Sequence, residues 1–82
     1  MKLIGARPSA FNGPDGRIVE GYNLYLVYDS EETLDGVVGE QCERVFVLES
    51  RLLFDPCDCV GAHVDVRYNR WGKVQRVDLL EV

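Results

Sequence analysis

Residues 18–28 read IVEGYNLYLVY and decide the fold, because they form the clearest alternating segment of the chain. Leu24 and Leu26 have even residue numbers, whereas Tyr25 has an odd one, so in a strand they alternate between two parities. Successive side chains of a β-strand point to opposite faces, and aromatic and β-branched residues favour strands. We therefore predict a strand in which the leucines face a core and Tyr25 faces outward.

Four further strands are predicted around this segment, and turn signals separate them. The sequence NGPDG at residues 12–16 is a dense turn signal, so residues 2–11 should pair with the central strand as a hairpin, with Pro8 marking an edge or a bulge. The segments at 43–49, 63–68 and 73–82 alternate as strands do, with a bulge near Gln75-Arg76. One helical turn at 49–54 ends before Pro56.

This order of elements predicts an all-β fold with one domain that covers residues 1–82. Three strands, a short helical turn and two strands follow one another, which is the order of the OB-fold, a five-stranded Greek-key barrel. A small SH3-like barrel and an open meander are the alternatives. Because a chain of this length buries a small core and exposes the edge of its first strand, we also expect a homodimer.

The composition excludes several classes of protein. The 82 residues carry 9 basic and 14 acidic side chains, so this acidic protein has a formal net charge of −5, and 46% of its residues are hydrophobic. That share is typical of a folded domain. No apolar run approaches the roughly 20 residues of a membrane span, and no signal-peptide stretch is found. We expect a cytoplasmic protein without membrane contacts.

Residues 67–76, RYNRWGKVQR, form the most unusual segment, with four basic residues, two aromatic ones and no acidic one. The segment spans the last predicted hairpin and places Trp71 at its turn. Cations neutralise phosphates and aromatic rings stack on bases, so this pairing is typical of single-stranded nucleic-acid binding. Alternatively, Trp71 caps the barrel and the cations only solvate the surface. The candidate binding residues are Arg67, Arg70, Trp71, Lys73 and Arg76.

A second candidate surface lies on the predicted second and third strands, which form the usual oligonucleotide platform of an OB-fold. Tyr25 is the outward ring of the second strand. Arg44 on the third strand can flank it, although Arg44 shares its parity with Phe46. We include Tyr25 and Arg44 in the candidate site; alternatively, Tyr25 is a half-buried strand residue.

Three motifs carry a resemblance to a known family. They are G-x-x-x-x-G-Y-x-L-Y from Gly16 to Tyr25, ERVFV at residues 43–47, and G-x-x-V-x-V-x-Y-N-R-x-G-K-V from Gly61 to Val74. The chain resembles the small OB-fold single-stranded DNA-binding proteins of phages, plasmids and conjugative elements, particularly those of filamentous-phage type. The resemblance implies a homodimeric barrel that coats single-stranded DNA without catalysis. It also implies that the DNA is held by Arg70, Trp71 and Lys73.

Residues 29–40 predict a long acidic loop and a second possible function. They hold five acidic residues and no basic one. Such a loop suits a protein-interaction or accessory domain of a mobile element, in which a basic partner protein meets a DNA-like surface. The net charge does not exclude DNA binding, because residues 67–76 are net +4 and charges are screened over about 8 Å at physiological salt. The acidic candidates are Glu31, Glu32 and Asp35.

Metal binding and catalysis find little support in the sequence. Cys57 and Cys59 form a C-x-C pair, with Cys42 upstream and His63 downstream, but structural zinc sites usually begin with two cysteines two to four residues apart. We expect reduced thiols and no metal or other cofactor. Nucleophile elbows, phosphate-binding loops and zinc-protease motifs are not found, so we expect no enzyme.

Overall fold

The computed structural model of the chain describes residues 1–80, and strands dominate it. Short 3-10 helices at Glu49–Arg51 and Pro56–Asp58 lie between the third and fourth strands. The predicted all-β class is therefore confirmed, while residues 81–82 of the predicted last strand lie outside the described residues. The strands are β1 (Lys2–Asn12), β2 (Ile18–Val27), β3 (Cys42–Leu48), β4 (Val64–Tyr68) and β5 (Val74–Leu79).

The five strands form two antiparallel sheets rather than a closed barrel. One sheet has the order β1-β2-β3, and the other is the β4–β5 hairpin. An isolated bridge between Lys2 and His63 links them, and the Leu3 N–H donates to the Ala62 carbonyl at 2.9 Å. The predicted closed five-stranded barrel is wrong: no ladder joins β3 to β5 within residues 1–80. The two strands of the hairpin are short, and a bulge in β5 bends the edge that would have to pair.

A single core lies between the two sheets. The Leu24 and Leu26 side chains of β2 are fully buried, as their parity predicts, and Tyr25 lies on the exposed face. Both sheets contribute to the same cluster, so the hairpin is held mainly by apolar burial. The other fully buried aliphatic side chains are Leu3, Val47, Val64 and Val77.

Two bulges shape the sheets. Arg67 pairs with Arg76, but Tyr68 pairs with Val74, so Gln75 is the extra residue and the predicted bulge in the last strand is confirmed. In β1 the register shifts between Leu3 and Gly5. Pro8 stays in regular register opposite Tyr22, on a strand that has no second neighbour at that point within residues 1–80, which is the edge position that proline tolerates.

No helix within residues 1–80 has the length and apolar character required to cross a membrane.

Candidate nucleic-acid interface

A groove of about 550 Å³ runs between β3 and the β4–β5 hairpin, at the place where a closed barrel would have joined β3 to β5. One wall is the outer face of the three-stranded sheet and its edge strand, and the other is the tip of the hairpin. This surface is termed the hairpin groove. Its aromatic lining is Phe11, Phe46 and Tyr68, and its cationic lining is Arg44, Arg51 and Lys73.

The aromatic floor of the hairpin groove depends on Gly21 in β2. A Cβ built at this glycine would lie 2.5 Å from Cζ of Phe46 and would clash with the Val47 carbonyl oxygen. Only glycine therefore leaves room for the Phe46 ring to lie across β2. The ring also packs against Phe11 of β1, with ring centroids 5.4 Å apart and planes tilted by 60°. The result is a two-ring surface on the outer face.

Tyr25 stands on the same outer face, directly opposite Gly5 of β1 and Arg44 of β3. Its ring covers Gly5, whose Cβ, if present, would lie 3.3 Å from Cδ2 of Tyr25. The side chain is 37% exposed, so one edge of the ring remains available. The predicted pairing of Tyr25 with Arg44 across the two strands is therefore observed as neighbouring register positions.

Asn69 organises the turn at the tip of the hairpin. Its Oδ1 atom accepts hydrogen bonds from the backbone N–H groups of Trp71 at 2.9 Å and Lys73 at 3.0 Å. Gly72 has a φ of +76°, the left-handed conformation that favours glycine. These contacts fix the backbone that carries Arg70, Trp71 and Lys73, so the tip is ordered by its own sequence.

Trp71 is 73% exposed at this tip, and it does not cap the core. The guanidinium carbon of Arg70 lies 5.0 Å from the Trp71 ring centroid, within the range of a cation–π contact. Neither residue lines the hairpin groove, and both stand beyond its end. The tip therefore offers an aromatic and cationic pair next to the groove.

Two of the predicted cations are already paired with carboxylates on the hairpin. Arg67 Nε lies 2.8 Å from Asp65 Oδ2, and an Arg76 terminal nitrogen lies 3.0 Å from Asp78 Oδ2. Residues i and i+2 of a strand share a face, so each arginine sits beside its own acidic neighbour. The local charge of residues 65–78 is +2, from four basic and two acidic side chains, rather than the +4 of residues 67–76 alone.

Glu43 closes one end of the hairpin groove by joining the two sheets. Its Oε2 atom accepts hydrogen bonds from the hydroxyl groups of Tyr28, which follows β2, and Tyr68 of β4, the latter at 3.3 Å. The bond to Glu43, together with burial and the carboxylate charge, raises the pKa of Tyr28 to about 12. Burial and the same charge raise the pKa of Tyr68. Both phenols therefore stay protonated donors at neutral pH.

The structure brings together only part of the predicted binding set. Lys73 and Arg44 line the hairpin groove, with Tyr25 beside Arg44 on the same face. Arg70 and Trp71 stand at the tip, while Arg67 and Arg76 lie in ion pairs away from the groove. No ion pair involves Arg44, Arg70 or Lys73 within residues 1–80.

Four of the six aromatic and cationic residues that line the groove were not among the predicted site residues. Phe46 could have been predicted, since it lies two residues after Arg44 and therefore on the same face of the third strand. Tyr68 lies in the basic hairpin two residues after the buried Val66, and alternation would place it on the core face, but it is 43% exposed beside the bulge. Phe11 and Arg51 reach the groove only through tertiary structure, from β1 and from the 3-10 helix at Glu49–Arg51, and no local pattern marks them.

The acidic loop, residues 29–40, lies at the end of the three-stranded sheet. Asp29 and Glu32 approach the amino group of Met1 at 3.3 and 3.0 Å, and Asp29 also lies 3.7 Å from Nδ1 of His63. Of the predicted acidic candidates, Glu32 is thus paired. Glu31 and Asp35 are exposed and make no ion pair with the described residues.

The three cysteines are free thiols, and Cys59 packs partly against the core while Cys42 and Cys57 are exposed. Within the described chain, His, Cys, Asp and Glu side chains do not assemble in threes that could hold a metal ion.

A comparison with family models, with curated proteins and with solved structures found no match. The resemblance to small OB-fold single-stranded DNA-binding proteins rests on the quoted motifs and stays a prediction.

Proposed function

We propose that this chain binds single-stranded DNA in the hairpin groove, without catalysis. The observation that carries the proposal is the lining of the groove, where Phe11, Phe46 and Tyr68 meet Arg44, Arg51 and Lys73. Aromatic rings stack on bases regardless of sequence, and cations along the same groove track the phosphates. The combination serves binding without base-specific recognition.

The charge of the groove favours a polyanion despite the acidic chain. Three cations and one carboxylate, Glu43, line it, and Glu43 is occupied by two tyrosine hydroxyls. A Debye length of about 8 Å at physiological salt screens part of the field of the acidic loop. The DNA strand would run across the rings of Phe11 and Phe46 and continue past Tyr25 or toward Trp71 at the tip of the hairpin.

The resemblance stated above supports the same function, since it implies an OB-type topology and a role in a mobile element. The bridge between Lys2 and His63 brings the residue that precedes β4 next to β1. We include homodimer formation in the proposal, because the core is small and the resemblance implies it, and a cytoplasmic location, because free thiols suit a reducing compartment.

Titration with a fluorescently labelled oligo-dT tests the proposal, with anisotropy as the signal and Trp71 emission as an independent one. We expect saturable binding whose affinity falls with salt. Three phosphate contacts predict a log–log slope of about −2, which corresponds to about a twentyfold loss between 50 and 200 mM salt. Unchanged anisotropy and unchanged Trp71 emission at low salt would overturn the proposal.

A second candidate function is binding of a basic protein partner through the acidic loop. Glu31 and Asp35 favour it, because they are exposed and form no ion pair within residues 1–80. A complex of this kind should weaken when both residues are changed to lysine and should persist when Arg44 and Lys73 are changed. Competition between oligo-dT and the partner would decide whether the two surfaces act separately.

A further inference from the structure

We infer that the hairpin groove also accepts the acidic loop of a second copy of this chain, so that self-association and single-stranded DNA compete for one surface. The groove is the site of the proposed function, and only the competition rests on that function. The self-association itself rests on the charge and exposure of two surfaces of the same chain.

The two surfaces are complementary in charge. The acidic loop has five carboxylates and no cation, and Glu31 and Asp35 have no ion-pair partner in residues 1–80. The groove carries Arg44 and Lys73, which also have no ion-pair partner within the described residues. Opposite potentials steer encounter and fix orientation.

The loop also presents apolar side chains that match the groove lining. Val38 is 98% exposed and Leu34 is 69% exposed. Burial of apolar side chains that are exposed to this degree stabilises a complex. Phe11 and Phe46 offer an apolar surface against which they can be buried. The loop thus combines anionic and apolar groups, as a DNA strand does.

The hydrogen bonds of the loop favour a second copy over the chain's own groove. The Tyr28 N–H donates to the Gln41 carbonyl at 2.9 Å, and the Leu34 N–H donates to Gln41 Oε1 at 3.0 Å. Thr33 Oγ1 donates to the Asp29 carbonyl at 3.0 Å. Moving the loop into its own groove would break these bonds, whereas a second copy can offer its loop as folded.

Because the loop and the groove are different patches, each contact joins the loop of one copy to the groove of another. Two copies that exchange loops reciprocally form a two-fold dimer, and copies joined head to tail form rings or open chains. Association of this kind grows with protein concentration and weakens with salt.

A charge swap tests the inference by sedimentation velocity on the full chain. The loop variant carries Glu31→Lys and Asp35→Lys, and the groove variant carries Arg44→Glu and Lys73→Glu. We expect the unmodified chain to associate at low salt, each variant alone to lose at least about tenfold in association, and an equimolar mixture of the two to recover it, since the charges are again opposite. The control is Glu20→Lys with Asp58→Lys, which makes the same charge change at two other exposed sites.

The outcomes separate the inference from the proposed function. Failure of the mixture to associate, or loss of association in the control variant, overturns the inference and leaves oligo-dT binding to be judged by its own titration. If the mixture associates but oligo-dT does not bind, the self-association stands, and the competition fails together with the proposed function. If both hold, oligo-dT must dissociate the self-associated species, and the loop variant must bind oligo-dT more tightly than the unmodified chain.

Discussion

The Tyr68 hydroxyl of the hairpin donates a hydrogen bond to Glu43 Oε2 of β3 at 3.3 Å, across the gap that separates the two sheets. The same oxygen accepts the Tyr28 hydroxyl from the end of β2. One carboxylate therefore links the end of β2, β3 and β4, and its bond to Tyr68 joins the two sheets where no backbone ladder does within residues 1–80. Because Glu43 and Tyr68 also line the hairpin groove, this link spans the groove between its two walls.

Removal of the Tyr28 hydroxyl should destabilise the fold. A hydrogen bond to a charged acceptor contributes about 1.5–3 kcal/mol when sheltered, and Tyr28 is half-buried, so Tyr28→Phe should lower the free energy of unfolding by about 1 kcal/mol. Tyr68→Phe should cost less, because Tyr68 is more exposed and its bond is longer. Urea unfolding measures both. Tyr25→Phe is the control, since its hydroxyl makes no hydrogen bond within residues 1–80, and an equal loss there would contradict the role of Glu43.

The tyrosine pKa values predict a loss of stability at alkaline pH. Tyr28 has a pKa of about 12 in the folded chain against 10 in the unfolded one. Below pH 10 the Tyr28 hydroxyl is protonated in both the folded and the unfolded chain, and its contribution to stability is complete. Between pH 10 and 12 the unfolded chain loses this proton first, so the free energy of unfolding falls. Ultraviolet titration of tyrosinate should show a late step, which Tyr28→Phe removes and Glu43→Gln shifts toward pH 10. A late step that survives both changes would exclude this assignment.

Gly21→Ala should disturb the aromatic floor and the fold together. The added methyl group would meet the Phe46 ring and the Val47 carbonyl at distances that force one of them to move. Overpacking of this kind costs about 1–3 kcal/mol. Urea unfolding measures the loss, and Ser9→Ala, at the position opposite Gly21 in β1, serves as the control. Unchanged stability of the Gly21 variant would mean that the ring has a second place to lie.

The faces of the strands were predictable from sequence, but the closure of the sheets was not. The alternation in β2 is local, so parity alone placed Leu24 and Leu26 in the core and Tyr25 outside. A β3–β5 ladder depends on how two distant strands meet after the bend at Gln75. Parity carries no information on that distance, so the open groove could not be foreseen.

The candidate site shows the same division. The turn chemistry of Asn69 and Gly72 made the hairpin tip predictable. The pairing of Arg67 with Asp65 and of Arg76 with Asp78 follows from i, i+2 spacing and was open to the same parity argument. Arg51 reaches the groove only because the chain folds back through the 3-10 helix at Glu49–Arg51, and such tertiary placement leaves no local pattern.

The free and the paired cations should differ in their effect on oligo-dT binding. Arg44→Gln and Lys73→Gln should each remove one phosphate contact and reduce the log–log salt slope by about 0.7. Arg67→Gln should change the slope less, because its guanidinium is already paired with Asp65. Anisotropy titrations at several salt concentrations measure the slopes. Equal effects of the three changes would show that DNA responds to net charge rather than to the groove.

The aromatic floor should contribute to affinity independently of salt. Phe46→Leu keeps an apolar side chain on β3 but removes the ring that faces the groove beside Phe11. Base–aromatic stacking contributes about 1–3 kcal/mol, so oligo-dT binding should weaken by about 5- to 150-fold with an unchanged salt slope. Phe54→Leu is the matched control, because Phe54 packs against the core and does not line the groove. The control should lower the free energy of unfolding and leave affinity intact. If Phe46→Leu and Phe54→Leu weaken binding equally, the effect comes from stability, and the floor does not stack bases.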